Sequence, residues 1–108
     1  MEQSGWNKNM LSPQEISRAK VNLETAQMRW RDMQRYFAGG AAIFVSPDLD
    51  LVETAFQMSE DNAVLIGQWM AAGQFGKVTD EQARSWLEAD AMLWAVVVSP
   101  WVLVQPVK

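Results

Sequence analysis

The chain of 108 residues contains no cysteine and no histidine. Without cysteine there can be no disulfide and no thiolate nucleophile, and the redox compartment cannot be read from cysteine pairing. Without histidine the chain lacks the commonest metal ligand and the usual general base at neutral pH. Ser-His-Asp and Cys-His machinery and the familiar zinc sites are therefore excluded by composition. Long apolar runs are also missing. The longest, Leu93–Val104, is interrupted by Ser99-Pro100 and falls short of the ~18 residues a membrane helix needs. The first residues show no basic flank leading into an apolar core, so no secretory signal is expected, and a cytoplasmic location is the default.

What is present describes one domain. The length is near the usual domain size and sufficient for a core without staples. Thirteen acidic and nine basic residues give a net charge of −4, which disfavours general affinity for phosphate backbones or anionic lipid. The charge is uneven, with Arg18, Lys20, Arg29, Arg31 and Arg35 early in the chain and residues 46–61 acidic. Six tryptophans are many for this length; large aromatics build cores, and those left exposed mark interfaces.

Residues 1–11 are polar and read as a flexible arm, with residues 12–108 as a single domain. Ser12-Pro13-Gln14-Glu15 forms a capping box. Apolar residues then recur at Ile16, Ala19, Leu23, Ala26, Trp30, Met33 and Phe37, which predicts one helix over 12–37 ending at Gly39-Gly40. That face could also serve as the seam of a helical dimer, but its two alanines make a weak zipper, and packing within the domain is favoured. Ala41–Val45 reads as a buried strand. Further helices are expected over 48–59, with Leu49, Val52, Phe56 and Met58 inward, and over 63–72, with Leu65, Ile66, Trp69 and Met70 on one side. Residues 75–78 read as an edge strand. Thr79-Asp80-Glu81-Gln82 opens a last helix to about Ala89, with Ala83, Trp86 and Leu87 inward. The most apolar segment closes the chain as two strands, 93–98 and 101–105, on either side of Ser99-Pro100. Trp94 and Trp101 are expected on opposite faces of the sheet. The fold class is thus α+β: four or so helices on a small, mostly antiparallel sheet of three to four strands. So few and such apolar strands need cover on both faces. Helices would supply one cover and a second subunit the other.

Chemistry is harder to find. Asp48, Asp50 and Glu53 form the main acidic group, and Asp50 and Glu53 stand three apart on a helix. A metal or acid site could be built there, but the spacing is not that of a calcium loop, and dipole-favoured charge at a helix start explains it more simply. Trp69, Trp86, Trp94 and Trp101, with Gln105, could line a pocket or an exposed surface, although core is the usual role of such rings. The glycines match no phosphate-binding loop. Residues 63–78 resemble a helix-turn-helix with a small wing, yet 63–72 carries no Arg or Lys to read a groove, so nucleic acid is an unlikely partner.

From Trp30 onward the sequence resembles a family of small bacterial proteins known only as a domain of unknown function. The resemblance rests on Trp30-Arg31-Asp32-Met33, Phe37-Ala38-Gly39, Asp48-Leu49-Asp50-Leu51-Val52, Ser59-Glu60-Asp61 with Trp69, and above all the segment Leu93–Gln105. It implies a compact bacterial cytosolic domain and transfers no activity, cofactor or catalytic residue. It also implies a break near Gln27–Arg29, against the single long helix. The leading expectation is a non-enzymatic interaction or regulatory domain that self-associates through its C-terminal strands or helix 12–37, with a further protein partner open. No cofactor, catalytic residue or metal ligand is assigned. A small-molecule or weakly catalytic site at Asp50 and a Trp-lined pocket is the alternative, and DNA binding the third.

Overall fold

A computed structural model of the chain describes residues 24–107. Five strands form one sheet: β1 Ala26–Arg29, β2 Ala42–Val45, β3 Phe75–Lys77, β4 Met92–Val98 and β5 Trp101–Pro106. Among the described residues four α-helices accompany them: α1 Gln34–Ala38, α2 Leu51–Ser59, α3 Ala63–Ala71 and α4 Asp80–Glu88, with a 3-10 turn over Trp30–Met33 between β1 and α1. The order across the sheet is β1-β4-β5-β2-β3; β2 and β5 run parallel and the other neighbours antiparallel. The α+β class stands, with one strand more than expected. The polar arm, the Ser12 capping box and the first part of the 12–37 helix lie outside the described residues.

The apolar C-terminal segment is a hairpin at the centre of this sheet. Val98 pairs directly with Trp101, so Ser99 and Pro100, joined by a cis peptide bond, make a two-residue turn. Proline at the turn forfeits no ladder hydrogen bond. β5, held between β4 and β2, keeps Val102, Leu103, Val104 and Gln105 buried. A strand covered on both faces has no polar face to present, which is why this one reads as a continuous apolar run.

Register fixes the faces. Paired residues share a face and alternate residues return to it. One face carries Leu93, Ala95, Val102, Val104 and Ala42 and packs on Trp30, Met33 and Ala83, with Phe37 and Trp86 beside them. The other carries Val96, Leu103, Ile43 and Val45 and packs on Leu51, Ala55 and Phe75. Helices thus cover both faces within a single chain, and the centre of the sheet does not require a second subunit. Trp94 pairs with Gln105 and Val98 with Trp101, so Trp94 and Trp101 lie on the same face, contrary to expectation.

The single helix over 12–37 does not form. Ala26–Arg29 is extended and pairs with Arg29 opposite Met92 and Ala26 opposite Ala95. The 3-4 spacing of apolar residues is compatible with a helix, but pairing satisfies the outer backbone groups of β4, which a helix could not do. After β1, helical structure resumes at Trp30. With three residues per turn, Trp30 and Met33 fall on one side, and both are fully buried. The indole N–H of Trp30 has no hydrogen-bond partner; its ring makes edge contacts with Phe37 and Trp86 at 5.7 and 5.1 Å. Gly40, at φ 75°, takes the left-handed conformation after α1.

The other helix starts follow their caps. α2 begins at Leu51 because Asp50 is the N-cap, accepting from the Glu53 N–H. This later start turns the helix so that Leu51, Thr54, Ala55 and Phe56 are buried, with Leu49 and Met58 at the margin. α4 opens on the expected reciprocal capping box between Thr79 and Gln82. Its inward residues are Ala83 and, in part, Trp86; Leu87 is exposed, as is Met70 on α3.

Candidate functional site

The residues singled out in the sequence are divided by the fold. Asp50, Trp94 and Gln105 meet in a cleft of about 200 Å³, with Thr25, Leu51 and Val52 completing the lining. Trp94 and Gln105 arrive there as a cross-strand pair of β4 and β5, and Asp50 arrives as the cap of α2. Gln105 is buried, and its Nε2 donates to the backbone carbonyls of Ser46 and Leu49 at 2.9 and 2.7 Å. It therefore fixes the loop that carries Asp50 into place.

The remaining candidates sit elsewhere. The Asp48 N–H donates to Ser46 Oγ at 3.1 Å in the turn before α2. Glu53 accepts from Gln57 Nε2 at 2.7 Å along the same helix. Trp69 packs on Phe75, with ring centroids 6.5 Å apart, and Trp101 lies under Lys77, whose Nζ is 5.9 Å from the ring centroid. Among the described residues, no three acidic side chains come together in a way that could hold a metal ion. Phe75–Lys77 pairs with β2 at the edge of the main sheet.

The surface that sequence reasoning missed is the edge of the sheet at β1. All four of its residues are exposed. The Trp30 N–H donates to the Ala91 carbonyl at 2.9 Å, which sets the phase of the antiparallel ladder. Hydrogen bonding alternates along such a pair, so Met28 and Ala26 direct their backbone groups to β4, while Gln27 and Arg29 direct theirs outward. Exposed apolar side chains flank this edge on both faces. Met28 and Val97 (59% exposed) lie on one, Met92 (44%) and Trp94 (36%) on the other. The Arg29 guanidinium is bound by the Asp90 carboxylate, with Arg31 Nε 3.9 Å from the same group. The signal that could have revealed β1 is the implied break at Gln27–Arg29, since the apolar period by itself points to a helix.

These features define a small α+β domain with a mixed five-stranded sheet whose outer strands are β1 and the three-residue β3. The chain belongs to the family described as "Protein of unknown function (DUF2288)", whose match spans residues 16–106. It is similar in fold and sequence to a protein from Pseudomonas aeruginosa known from the "NMR solution structure of PA1075". The two are 38% identical, the match covers 92% of each chain, and the TM-score is 0.76. Among curated proteins no match is found. No helix among the described residues is long and apolar enough to cross a membrane.

Proposed function

We propose that the protein is a non-enzymatic interaction domain that self-associates by pairing β1 with β1 of a second copy. The observation that carries this reading is the β1 edge: Gln27 and Arg29 direct backbone groups outward with no strand among the described residues against them, between exposed Met28, Met92, Trp94 and Val97. A free strand edge is a template for another strand, and a closed two-fold pair removes it. β4 and β5 both have neighbours on each side, so their edges are occupied and they could contribute only faces. The geometry is self-complementary. Antiparallel pairing through the outward residues places Gln27 of one copy opposite Arg29 of the other, with Met28 against Met28. No like charges stand opposite each other, and Arg29 is already bound to Asp90.

Sedimentation equilibrium tests it. The wild-type chain is expected to be a dimer at tens of micromolar, and Gln27→Pro a monomer with an unchanged circular dichroism spectrum. Proline there deletes an outward donor and leaves the bonds to β4 intact. A wild-type monomer, or an undisturbed dimer in the proline variant, would refute the proposal.

A second reading is favoured by the convergence of Asp50, Trp94 and Gln105 on one cleft. That cleft would take a small polar ligand, since its volume lies below the roughly 300–1,000 Å³ of drug-sized sites. The same dimer would bring a second copy close to Trp94. Ligand-induced shifts at the amides of 50–52 that disappear in Asp50→Asn, which keeps the helix cap, while sedimentation still shows the dimer, would separate the two readings.

A further inference from the structure

A larger cleft, of about 470 Å³, lies on the opposite face of the sheet, and none of its lining residues belongs to β1. Its walls are Phe44, Pro47 and Pro106 from the strand ends and Glu81, Ser85 and Trp86 from α4. We infer that this cleft binds an organic cation, an ammonium or guanidinium group on an apolar stem. Three observations converge on it.

The first is position. Phe44 and Pro106 belong to the carboxyl ends of β2 and β5, which are parallel neighbours. The chain leaving β2 packs α2 on one face, while α4 packs on the other. The cleft therefore opens where the strands end beneath α4, so that the strand ends, the loop after β2 and the helix each supply part of its wall.

The second is wall chemistry. Phe44 and Trp86 stack with centroids 6.4 Å apart and an interplanar angle of 30°, and both are only partly buried. Prolines stand at the strand-end side. Such a surface accepts an aliphatic stem, and aromatic faces attract a cation through their quadrupole.

The third is charge. Glu81 and Ser85, one helical turn apart, present a carboxylate and a hydroxyl on the wall that carries Trp86. Gln82 also reaches the cleft, but its Oε1 is occupied by the Thr79 N–H at 3.0 Å. Asp80 and Glu81 together outweigh the partial positive charge of the α4 N-terminus. Arg84, the one cation of α4, does not line the cleft. A neutral apolar ligand would leave the Glu81 carboxylate unused, and an anion would be repelled by it.

Titration of the full chain with n-butylguanidinium, followed by two-dimensional NMR, tests the assignment. Saturable shifts are expected at the Trp86 indole N–H and at the amides of 81–86. n-Butylurea, the neutral isostere, should produce none of comparable affinity. Glu81 is exposed, so Glu81→Gln should keep the native spectrum; it is expected to weaken binding by roughly threefold to tenfold. A blocked Gly-Arg-Gly peptide forms the second arm. Tighter binding than the free guanidinium identifies the cation as a side chain of a partner protein, and weaker binding identifies it as a small molecule. Equal affinity for the urea, no saturable shift by tens of millimolar, or unchanged affinity in Glu81→Gln would overturn the inference.

Discussion

Gln105 shows how one side chain can look like chemistry in a sequence and act as a brace in the fold. A polar residue at the end of a strand as apolar as β5 stands out as a candidate ligand group. Its amide instead donates to Ser46 and Leu49, tying the β2–α2 loop to the central strand. Gln105→Leu keeps the volume but removes the donor to the Leu49 carbonyl and leaves the Ser46 carbonyl with the Leu49 N–H at 3.0 Å, and a buried acceptor left without a partner costs about 1–3 kcal/mol. We expect Gln105→Leu to lower stability by roughly 1–3 kcal/mol, read as a shift in the urea midpoint at constant slope. Gln105→Glu should lose more, because a carboxylate would face two carbonyl oxygens with nothing to donate. A loss within experimental error in both variants would show that the loop is held by other contacts.

The helix starts were legible because a cap is a local event. Thr79 Oγ1 accepts from the Gln82 N–H at 3.1 Å while Gln82 Oε1 accepts from the Thr79 N–H at 3.0 Å, and both partners sit in one four-residue word. Thr79→Ala should cost about 1 kcal/mol and Thr79→Ser only a fraction of that, measured by thermal unfolding. Equal effects of the two would mean that the hydroxyl contributes nothing. β1 was not legible for the opposite reason. Its extended form depends on β4, more than sixty residues away along the chain, and Ala26, Trp30 and Met33 fit a helical period equally well. The same distance explains the two tryptophans. Whether Trp94 and Trp101 share a face depends on a turn of two residues rather than three, and the Ser99-Pro100 turn fixes that count. Asp50, Trp94 and Gln105 were each noticed, but their meeting in one cleft follows from the register of β4 on β5 and could not be read from spacing.

For the whole molecule, the consequential asymmetry lies between the two ends of the sheet. At the β2–β3 end, α2 and α3 pack on one face of the sheet and α4 on the other, and the outer strand is only three residues long. At the β1 end, one strand is held by one neighbour and both faces carry exposed apolar side chains. Local stability should follow that gradient, since amide exchange from a thinly covered edge needs less than global unfolding. The Val102 amide, bonded to the Ala41 carbonyl at 2.9 Å in the enclosed region, is expected to exchange only on global opening. Trp30, whose amide closes the β1–β4 ladder, should exchange at a lower free energy. Gln27 and Arg29 provide the decisive comparison. Their amides point away from the sheet, so in a single copy nothing within β4 protects them. Protection of these two amides that rises with protein concentration, while Val102 stays constant, is expected if a second strand docks on β1. If Gln27 and Arg29 exchange at the same fast rate from micromolar to millimolar protein, the edge is open in solution and the uncovered end of the sheet has some purpose other than self-pairing.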